Sequence, residues 1–344
     1  MCIRDSSEDE WYELHLASWL HDCGKVTTPE YVVDKATRLE TISNRLHEIR
    51  TRFEVLWRDA EIESLKAQLD GALEGTEANE RLGRRHDEIR RDFEFIAGCN
   101  SGETFMNDER KAMVKKIGSQ KWTRHLDDRI GLAHDELERK GREPAQSLPA
   151  EERRLAAKVE HLFFRDGPPF GDTPSGFTME APEHLFNHGE VYNLCTEKGT
   201  LNAEERFKIN EHIVETINML GQLPFPKELR RVPEWAGNHH ETLTGSGYPR
   251  QLNGDDLSVP ARIMAIADIF EALTASDRPY KPPKKLSTSI SILSSFRDSG
   301  HICPDLFDLF LSSGVFRKYG EEHLQPEQVD EVDVQEFVRG PQSN

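Results

Sequence analysis

The sequence predicts an all-α protein, and three observations lead to that prediction. Apolar residues recur at helical spacing, as in the series that begins at Ile42 and ends at Leu69. Strand-like alternation of useful length does not occur in the 344 residues. Asn202 and Glu205 have the spacing of a capping box, in which two side chains satisfy each other's backbone N–H groups at a helix start.

Composition favours a reduced cytoplasmic protein. Charged residues make up 31% of the chain, and no apolar run approaches the roughly 20 residues of a membrane span. The five cysteines are odd in number and include no C-x-x-C pair. A net charge of −18 disfavours a nucleic acid polymer as partner, because duplex binding depends on basic patches. A phosphate substrate would need local positive charge, which metal ions can supply.

The first part of the chain is predicted to be a core helix. Residues 1–6 show no helical pattern, and we interpret them as an artefactual scar. The segment from Asp9 to Asp22 is predicted to be buried, because apolar residues occupy most of its circumference. Gly24 is a suitable stop. His21 and Asp22 are therefore expected to project from the last buried turn.

The middle of the chain differs in character from its ends. Helical spacing among many charges over 41–73 and 77–96 predicts a hairpin of two helices. Two shorter helices are expected over 108–117 and 120–140, and the stretch 141–182 is interpreted as a long irregular connection. Core helices are then expected again, over 202–220, 260–276, 286–296 and 304–313.

Several side chains on these helices have metal-ligand chemistry. A carboxylate in an apolar helix, as at Asp268, is costly unless an arginine, a backbone cap or a metal ion neutralises it. His212 lies on an apolar stripe and, taken alone, would be an ordinary core histidine. Six residues together indicate a site for metal ions: His21, Asp22, His212, His239, His240 and Asp268.

Two of these motifs resemble the HD superfamily of metal-dependent phosphohydrolases. One is the pair His21-Asp22 followed by Lys25, and the other is the apolar run that ends at Asp268. The likeness covers about 7–40 and 196–313. It implies an all-α HD-domain core with a helical hairpin or subdomain inserted into it.

The loop after the histidine pair is similar to that of the HD-GYP subgroup, bacterial signal-transduction phosphodiesterases that open cyclic di-GMP. The matching residues are His239-His240-Glu241 and Gly247-Tyr248-Pro249, with Arg278 and Lys281 further on. The resemblance implies two or three divalent ions, iron or manganese, held by the six predicted ligands. Asp22 would bridge two of the ions.

The resemblance also implies roles for the neighbouring residues. Asp22 and Lys25 would be catalytic, with Lys25 touching the scissile phosphate. Arg278 and Lys281 would hold phosphate oxygens of the substrate, the alternative being a solvated basic run. Glu241 would orient a ligating histidine. The loop formed by Gly247, Tyr248 and Pro249 would shape the rim of the substrate pocket.

The implied reaction is hydrolysis of cyclic di-GMP to pGpG, and further to GMP, by a metal-bridging hydroxide. One alternative is hydrolysis of another cyclic nucleotide. Another is a catalytically impaired signalling module that binds a cyclic dinucleotide or a partner protein. Family members often carry sensor or membrane segments upstream, so a sensor domain lost from this copy is expected, and the insertion could support a homodimer.

Three departures from the family pattern shape these expectations. Few residues precede His21, so a family helix that carries a ligand for a third metal would be missing and the domain would be truncated. Thr244 stands where aspartate is usual. A long insertion follows the first motif. The expected segments are a scar at 1–6, the first part of the HD-GYP domain at 7–40, a helical insertion at 41–195, the remainder of the domain at 196–318 and an acidic C-terminal tail at 319–344.

Overall fold

The computed structural model describes residues 7–170, 176–275 and 283–339. The described residues are mostly helical, as predicted, and they add two antiparallel sheets of two strands each. The predicted scar at 1–6 lies outside the described residues. None of the described helices combines the length and the apolar character that a membrane crossing requires.

Backbone contacts divide the chain into two compact units. The first unit contains the described residues of 1–29, 167–181 and 207–344, and the second contains those of 30–166 and 182–206. The second unit overlaps most of the predicted insertion, although its limits differ from those expected. The segment boundaries given above therefore stay predictions.

The first unit is built from helices. The first of them, α1, begins with a capping box, in which Ser7 Oγ accepts from the Glu10 N–H while the Glu10 carboxylate accepts from the Ser7 N–H. The helices of this unit are α1 (Glu8–Leu20), α9 (His212–Gly221), α10 (Val232–Gly237), α11 (Val259–Thr274), α12 (Leu286–Asp298), α13 (Pro304–Ser312) and α14 (Val315–His323). One more helix, α8 (Ala203–Asn210), contains the boundary at which the chain passes from the second unit to the first.

The prediction that the first helix is buried is wrong for most of α1. Trp11, Tyr12 and Trp19 are 52%, 57% and 77% exposed. Glu13 is buried instead, and its carboxylate accepts hydrogen bonds from the backbone N–H and the guanidinium of Arg231. An apolar residue on every side of a helix does not decide which side packs. Here the buried face combines Glu13, which pairs with Arg231, and Ala17, which belongs to an apolar cluster.

The described part of the expected acidic tail, residues 319–339, packs on the helical core. Val332 is 7% exposed and belongs to the core cluster that α11, α12, α13 and α14 form. The Asp330 carboxylate accepts hydrogen bonds from the N–H and the hydroxyl of Ser287, at 2.9 and 2.6 Å. These contacts hold the segment after α14 against the helical core.

The second unit contains the predicted helical hairpin. Phe53 on one helix and Ile89 and Ile96 on the other are buried in a common apolar cluster. A stable interface between the two helices follows from this burial. The helices of this unit are α2 (Glu30–Val33), α3 (Leu46–Leu69), α4 (Gly75–Cys99), α5 (Asp108–Gly118), α6 (His134–Lys140) and α7 (Glu190–Leu194).

Two predictions about the second unit are wrong. The segment 120–140 is not one helix, because β1 (Lys121–Arg124) occupies its start and α6 only its end. The stretch 141–182 contains β2 (Ala150–Arg153), which pairs with β1, and β3 (Leu162–Phe163), which pairs with β4 (Phe186–Asn187). Strands of two to four residues are too short to show a recognisable alternation.

The predicted capping box at the start of α8 is confirmed. The Glu205 N–H donates to Asn202 Oδ1 at 2.9 Å, and the Asn202 N–H donates to Glu205 Oε2 at 3.1 Å. Glu205 also accepts from the buried ammonium of Lys35 at 2.7 Å. The same carboxylate therefore caps a helix and neutralises a buried cation.

Candidate metal centre

The six predicted ligands converge in the first unit. His21 ends α1 and Asp22 follows it, His212 opens α9, and Asp268 lies in the middle of α11. The two adjacent histidines, His239 and His240, follow α10 after one residue, Asn238. Chain segments far apart in sequence thus contribute one set of side chains, as the motifs predict.

The carboxylate of Asp22 lies between two imidazoles. Its Oδ1 is 3.1 Å from His212 Nε2, and its Oδ2 is 3.2 Å from His21 Nε2. Asp268 Oδ1 lies 3.7 Å from the same His21 nitrogen. Over the described ranges, no arginine or lysine forms an ion pair with Asp268. The alternative in which an arginine neutralises this half-buried carboxylate is therefore not realised there.

Backbone carbonyls orient three of the four histidine rings. Because a carbonyl oxygen can only accept, each Nδ1 must carry the ring proton and donate it, which leaves Nε2 with a free lone pair. The carbonyl belongs to the residue three positions earlier in each case. His21 Nδ1 lies 2.6 Å from the Ser18 carbonyl oxygen, and His239 Nδ1 lies 2.7 Å from that of Ala236. His212 Nδ1 bonds the Ile209 carbonyl in the same way.

Several ligand atoms at the centre have no hydrogen-bond partner among the described residues. They are buried, and they are His212 Nε2, His239 Nε2 and Asp22 Oδ1. Buried polar atoms are rarely left in this state, so a cation is the partner that fits them. This donor set of imidazole and carboxylate suits divalent transition metals.

The ligand atoms form two overlapping groups of three, each within 4.8 Å. His239 belongs to both groups, yet its single free nitrogen can bind only one ion. Asp22 directs one oxygen toward each group, so it can supply a ligand to the group that His239 does not serve. The groups are His212 with His239 and His240, and His21 with His239 and Asp268.

The electrostatics match a cation site. Burial acts to lower the pKa of His21, but hydrogen bonds to Asp22 and Asp268 outweigh it and raise that pKa to about 10. Burial alone would raise the pKa of Asp22, yet the contacts with His21 and Lys25 hold it far below its usual range. Burial lowers the pKa of His239 to about 4. The Asp22 carboxylate is thus ionised and His239 is neutral, which are the charge states that metal ligands need. At His21 a bound metal ion would take the place of the extra proton.

Gly24 and Thr216 fix the His-Asp turn against α9. No sequence motif predicts this role for either residue. The buried Thr216 hydroxyl accepts from the Gly24 N–H at 3.0 Å and donates to the His21 carbonyl at 3.2 Å. A Cβ at position 24 would lie 2.0 Å from the carbonyl oxygen of His212. Only glycine allows this approach, which brings Asp22 next to His212.

The loop after the histidine pair packs on the centre. Tyr248 stacks on His240 with 4.8 Å between ring centroids, and its N–H donates to the His240 carbonyl. A Cβ at Gly247 would lie 2.5 Å from the Cα of Glu241, so this glycine permits close contact of two backbones. The carbonyl of Pro249 accepts from the Thr178 N–H at 2.8 Å. Whether this loop contacts substrate stays a prediction.

Glu241 does not have the contacts predicted for it. Its carboxylate oxygens accept from the backbone N–H groups of Arg250 and Leu252, at 2.7 and 3.0 Å, rather than from a histidine ring. The side chain points back into its own loop, where its carboxylate accepts from these two amides. Glu241 therefore holds the loop's shape, and it affects the histidines only through the backbone.

Thr244 belongs to a cluster of hydroxyl groups. Its Oγ1 lies 3.1 Å from that of Thr242 and 2.8 Å from Ser246 Oγ. The Ser246 N–H also donates to the Thr242 hydroxyl at 3.0 Å. Threonine at this position thus takes part in a local network, where the resemblance leads one to expect an aspartate.

The predicted phosphate-contacting cations fall into two groups. Lys25 is half-exposed, and its ammonium lies 2.6 Å from Asp22 Oδ2, at the edge of the centre. Arg278 and Lys281 lie outside the described residues. Of the three cations predicted to contact phosphate, Lys25 is therefore the one that the structure describes, and it lies beside the centre.

Comparison with known proteins gives a family and several relatives. Residues 146–306 match the HD domain family, a span that includes four of the six ligands. The 3'3'-cGAMP-specific phosphodiesterase 1 of Vibrio cholerae is 41% identical over 145 residues, which are 40% of this chain and 33% of that protein. The 3'3'-cGAMP-specific phosphodiesterase 3 of the same organism is 40% identical over 104 residues, 30% of this chain and 22% of that protein. A cyclic di-GMP phosphodiesterase of Thermotoga maritima is 33% identical over 135 residues, 38% of this chain and 36% of that protein.

Fold and site together define a helical protein with a histidine and carboxylate cluster that could hold metal ions. Residues 146–306 match an HD domain, and with these relatives this part of the chain is similar to HD domains of the HD-GYP type. The chain spans about a third or less of the length of these relatives.

Proposed function

We propose that this chain is a metal-dependent phosphodiesterase that opens a cyclic dinucleotide. The observation that carries the proposal is the convergence of the six predicted ligands, with buried and unpartnered nitrogen atoms of His212 and His239 facing an ionised carboxylate. When bound, divalent ions would supply an activated water and stabilise negative charge on the phosphoryl oxygens. Iron or manganese fits the donor set.

The chain's own residues would position the ions and the substrate. Asp22, with one oxygen toward His21 and the other toward His212, would bridge two ions. The ammonium of Lys25, adjacent to Asp22, would hold a phosphate oxygen of the scissile bond. Tyr248 limits the freedom of the His240 ring by stacking on it. No side-chain nucleophile is needed for such a hydrolysis.

Cyclic di-GMP is the substrate predicted from the sequence, with pGpG and then GMP as products. A second candidate is 3'3'-cGAMP, because relatives with that specificity are 41% and 40% identical, against 33% for the cyclic di-GMP phosphodiesterase of Thermotoga maritima. Both substrates present the same phosphodiester to the centre. The homodimer and an upstream sensor domain stay predictions.

The test is product analysis with protein loaded anaerobically with iron or manganese. Each cyclic dinucleotide is incubated separately, and the products are separated by chromatography. A linear dinucleotide should form with wild type and disappear with Asp22→Asn. The matched control is Asp298→Asn on α12, whose side chain is 65% exposed, and it should keep the wild-type rate. Tight binding of both nucleotides without product would contradict hydrolysis and support a receptor.

A further inference from the structure

A second polar site lies in the second unit. A cavity of about 390 Å³ opens between the start of α3, the end of α6 and the β3–β4 pair. Six basic side chains and five carboxylates line it, so the wall has a net positive charge although the whole chain carries −18. A volume of this size holds a small organic molecule.

Two histidines stand side by side on one wall of the cavity. The register of β3 and β4 places His161 opposite His188, and the His188 N–H donates to the His161 carbonyl at 2.9 Å. Directly opposed residues of an antiparallel pair have side chains on the same face of the sheet. The ring of Phe163 lies 4.8 Å from that of His188 and continues this wall.

Most carboxylates of the wall are already engaged by cations of the same wall or its surroundings. Glu190 accepts from the guanidinium of Arg52 at 2.8 Å, Glu160 binds Lys140 at 2.8 Å, and Glu152 binds Lys158 at 3.0 Å. Glu48 lies 3.9 Å from Arg52 and is largely exposed. Glu136 also lines the cavity.

Three arginines of the wall, Arg45, Arg139 and Arg153, form no ion pair with a carboxylate of the described ranges. Arg153 is exposed, whereas Arg45 and Arg139 are partly buried. The guanidinium of Arg139 lies over the ring of Phe163, and its buried Nε has no acceptor among the described residues. Arg45 makes one long hydrogen bond, from Nε to the Leu39 carbonyl at 3.4 Å. Both arginines thus keep capacity to bind an anion.

The histidine pair is kept neutral by its surroundings. Burial, followed by the charge of Arg45, lowers the pKa of His161 to about 4 and that of His188 to about 3. The Lys158 N–H lies 3.5 Å from His161 Nδ1, so the ring proton of His161 lies on Nε2 and can be donated. The Nε2 of His188 is buried and has no partner in the described part of the chain.

We propose that this cavity binds a small organic phosphate, with its phosphate group held by Arg45, Arg139 and the histidine pair. Planar guanidinium groups bind phosphate oxygens with two parallel hydrogen bonds, which makes arginine the preferred partner for this group. Neutral imidazole N–H groups add donors without repelling the arginines. The aromatic rings of Trp122 and Phe163 give the rest of the molecule an apolar wall. This site is separate from the metal centre and does not depend on the proposed phosphodiesterase activity.

The test measures binding of inorganic phosphate and GMP by calorimetry at low salt. The titrations use Asp22→Asn protein, because the metal centre could also bind phosphate. At least one probe should bind, and Arg45→Gln should weaken it about tenfold or more, as expected for the loss of a charge-assisted hydrogen bond. Arg139→Gln should have the same effect, which guards against misfolding of a single variant.

The matched control is Arg58→Gln on the same helix as Arg45. Its side chain is 62% exposed and lies outside the cavity, so affinity should change less than twofold. Histidine ring signals provide a second readout, since the bound anion should shift those of His161 and His188 and raise their pKa values. No binding of either probe, or binding that both arginine variants retain, would overturn the proposal.

Discussion

The contact between Thr216 and the His-Asp turn provides the sharpest test of how the metal centre is assembled. Thr216→Val keeps the shape of the side chain and removes the hydroxyl that joins the Gly24 N–H to the His21 carbonyl. Because Thr216 is 0% exposed, water cannot replace the lost partner without opening the turn.

The expected effect follows from the two groups that lose a partner. A buried donor or acceptor left unsatisfied costs about 1–3 kcal/mol. The carbonyl has a second lone pair, so we expect a total of about 2 kcal/mol in the free energy of opening this turn. That loss corresponds to a roughly 30-fold decrease in protection of the Gly24 amide against hydrogen exchange.

Hydrogen exchange followed by NMR or mass spectrometry measures this protection directly. Thr274→Val is the matched control, because Thr274 is equally buried but its hydroxyl, among the described residues, donates to carbonyls of its own helix. The control should leave the Gly24 amide unchanged. Wild-type protection in Thr216→Val would refute the claim that this hydroxyl fixes the His-Asp turn on α9.

Three further perturbations test other parts of the account. Gly24→Ala should lower bound metal severalfold in elemental analysis, because its Cβ would lie 2.0 Å from the His212 carbonyl oxygen, whereas Gly83→Ala, with open space around it, should leave metal content unchanged. Glu241→Ala should speed exchange of the Arg250 and Leu252 amides about tenfold while metal content stays at the wild-type level; metal loss with unchanged exchange would contradict the loop role. In metal-free protein, urea unfolding should show stability rising from pH 4 to 6.5, since His161 and His239 take up protons only when unfolded, and falling from pH 6.5 to 10, since His21 holds its proton in the folded state. A flat profile over both ranges would contradict these pKa shifts.

The ligand set could be predicted because its chemistry is written in short motifs. A carboxylate in an apolar helix, such as Asp268, needs a partner, and in the described residues it lies near His21. The packing around the set could not be predicted in the same way. The bond between Gly24 and Thr216 joins residues 192 positions apart, and neither residue type signals such a contact. The motifs thus predicted which side chains converge but not the residues that position them.

The errors have related physical causes. An apolar residue on every side of α1 suggested burial, but Trp19 is 77% exposed and Glu13 is buried because it pairs with Arg231. Glu241 lies next to two ligands in sequence, yet its carboxylate turns toward amide groups of its own loop. In both cases a specific polar contact determines the direction of a side chain, and such a contact cannot be predicted from composition.

Anomalous diffraction from crystals of the manganese-loaded protein tests the central claim most directly. Data collected at the manganese edge locate each ion independently of any assumption about ligands. We expect at least two peaks in the first unit, one within bonding distance of His212 and His240 and one within bonding distance of His21 and Asp268, with Asp22 between them. Peaks elsewhere, or an absence of peaks at these side chains in fully loaded protein, would contradict it.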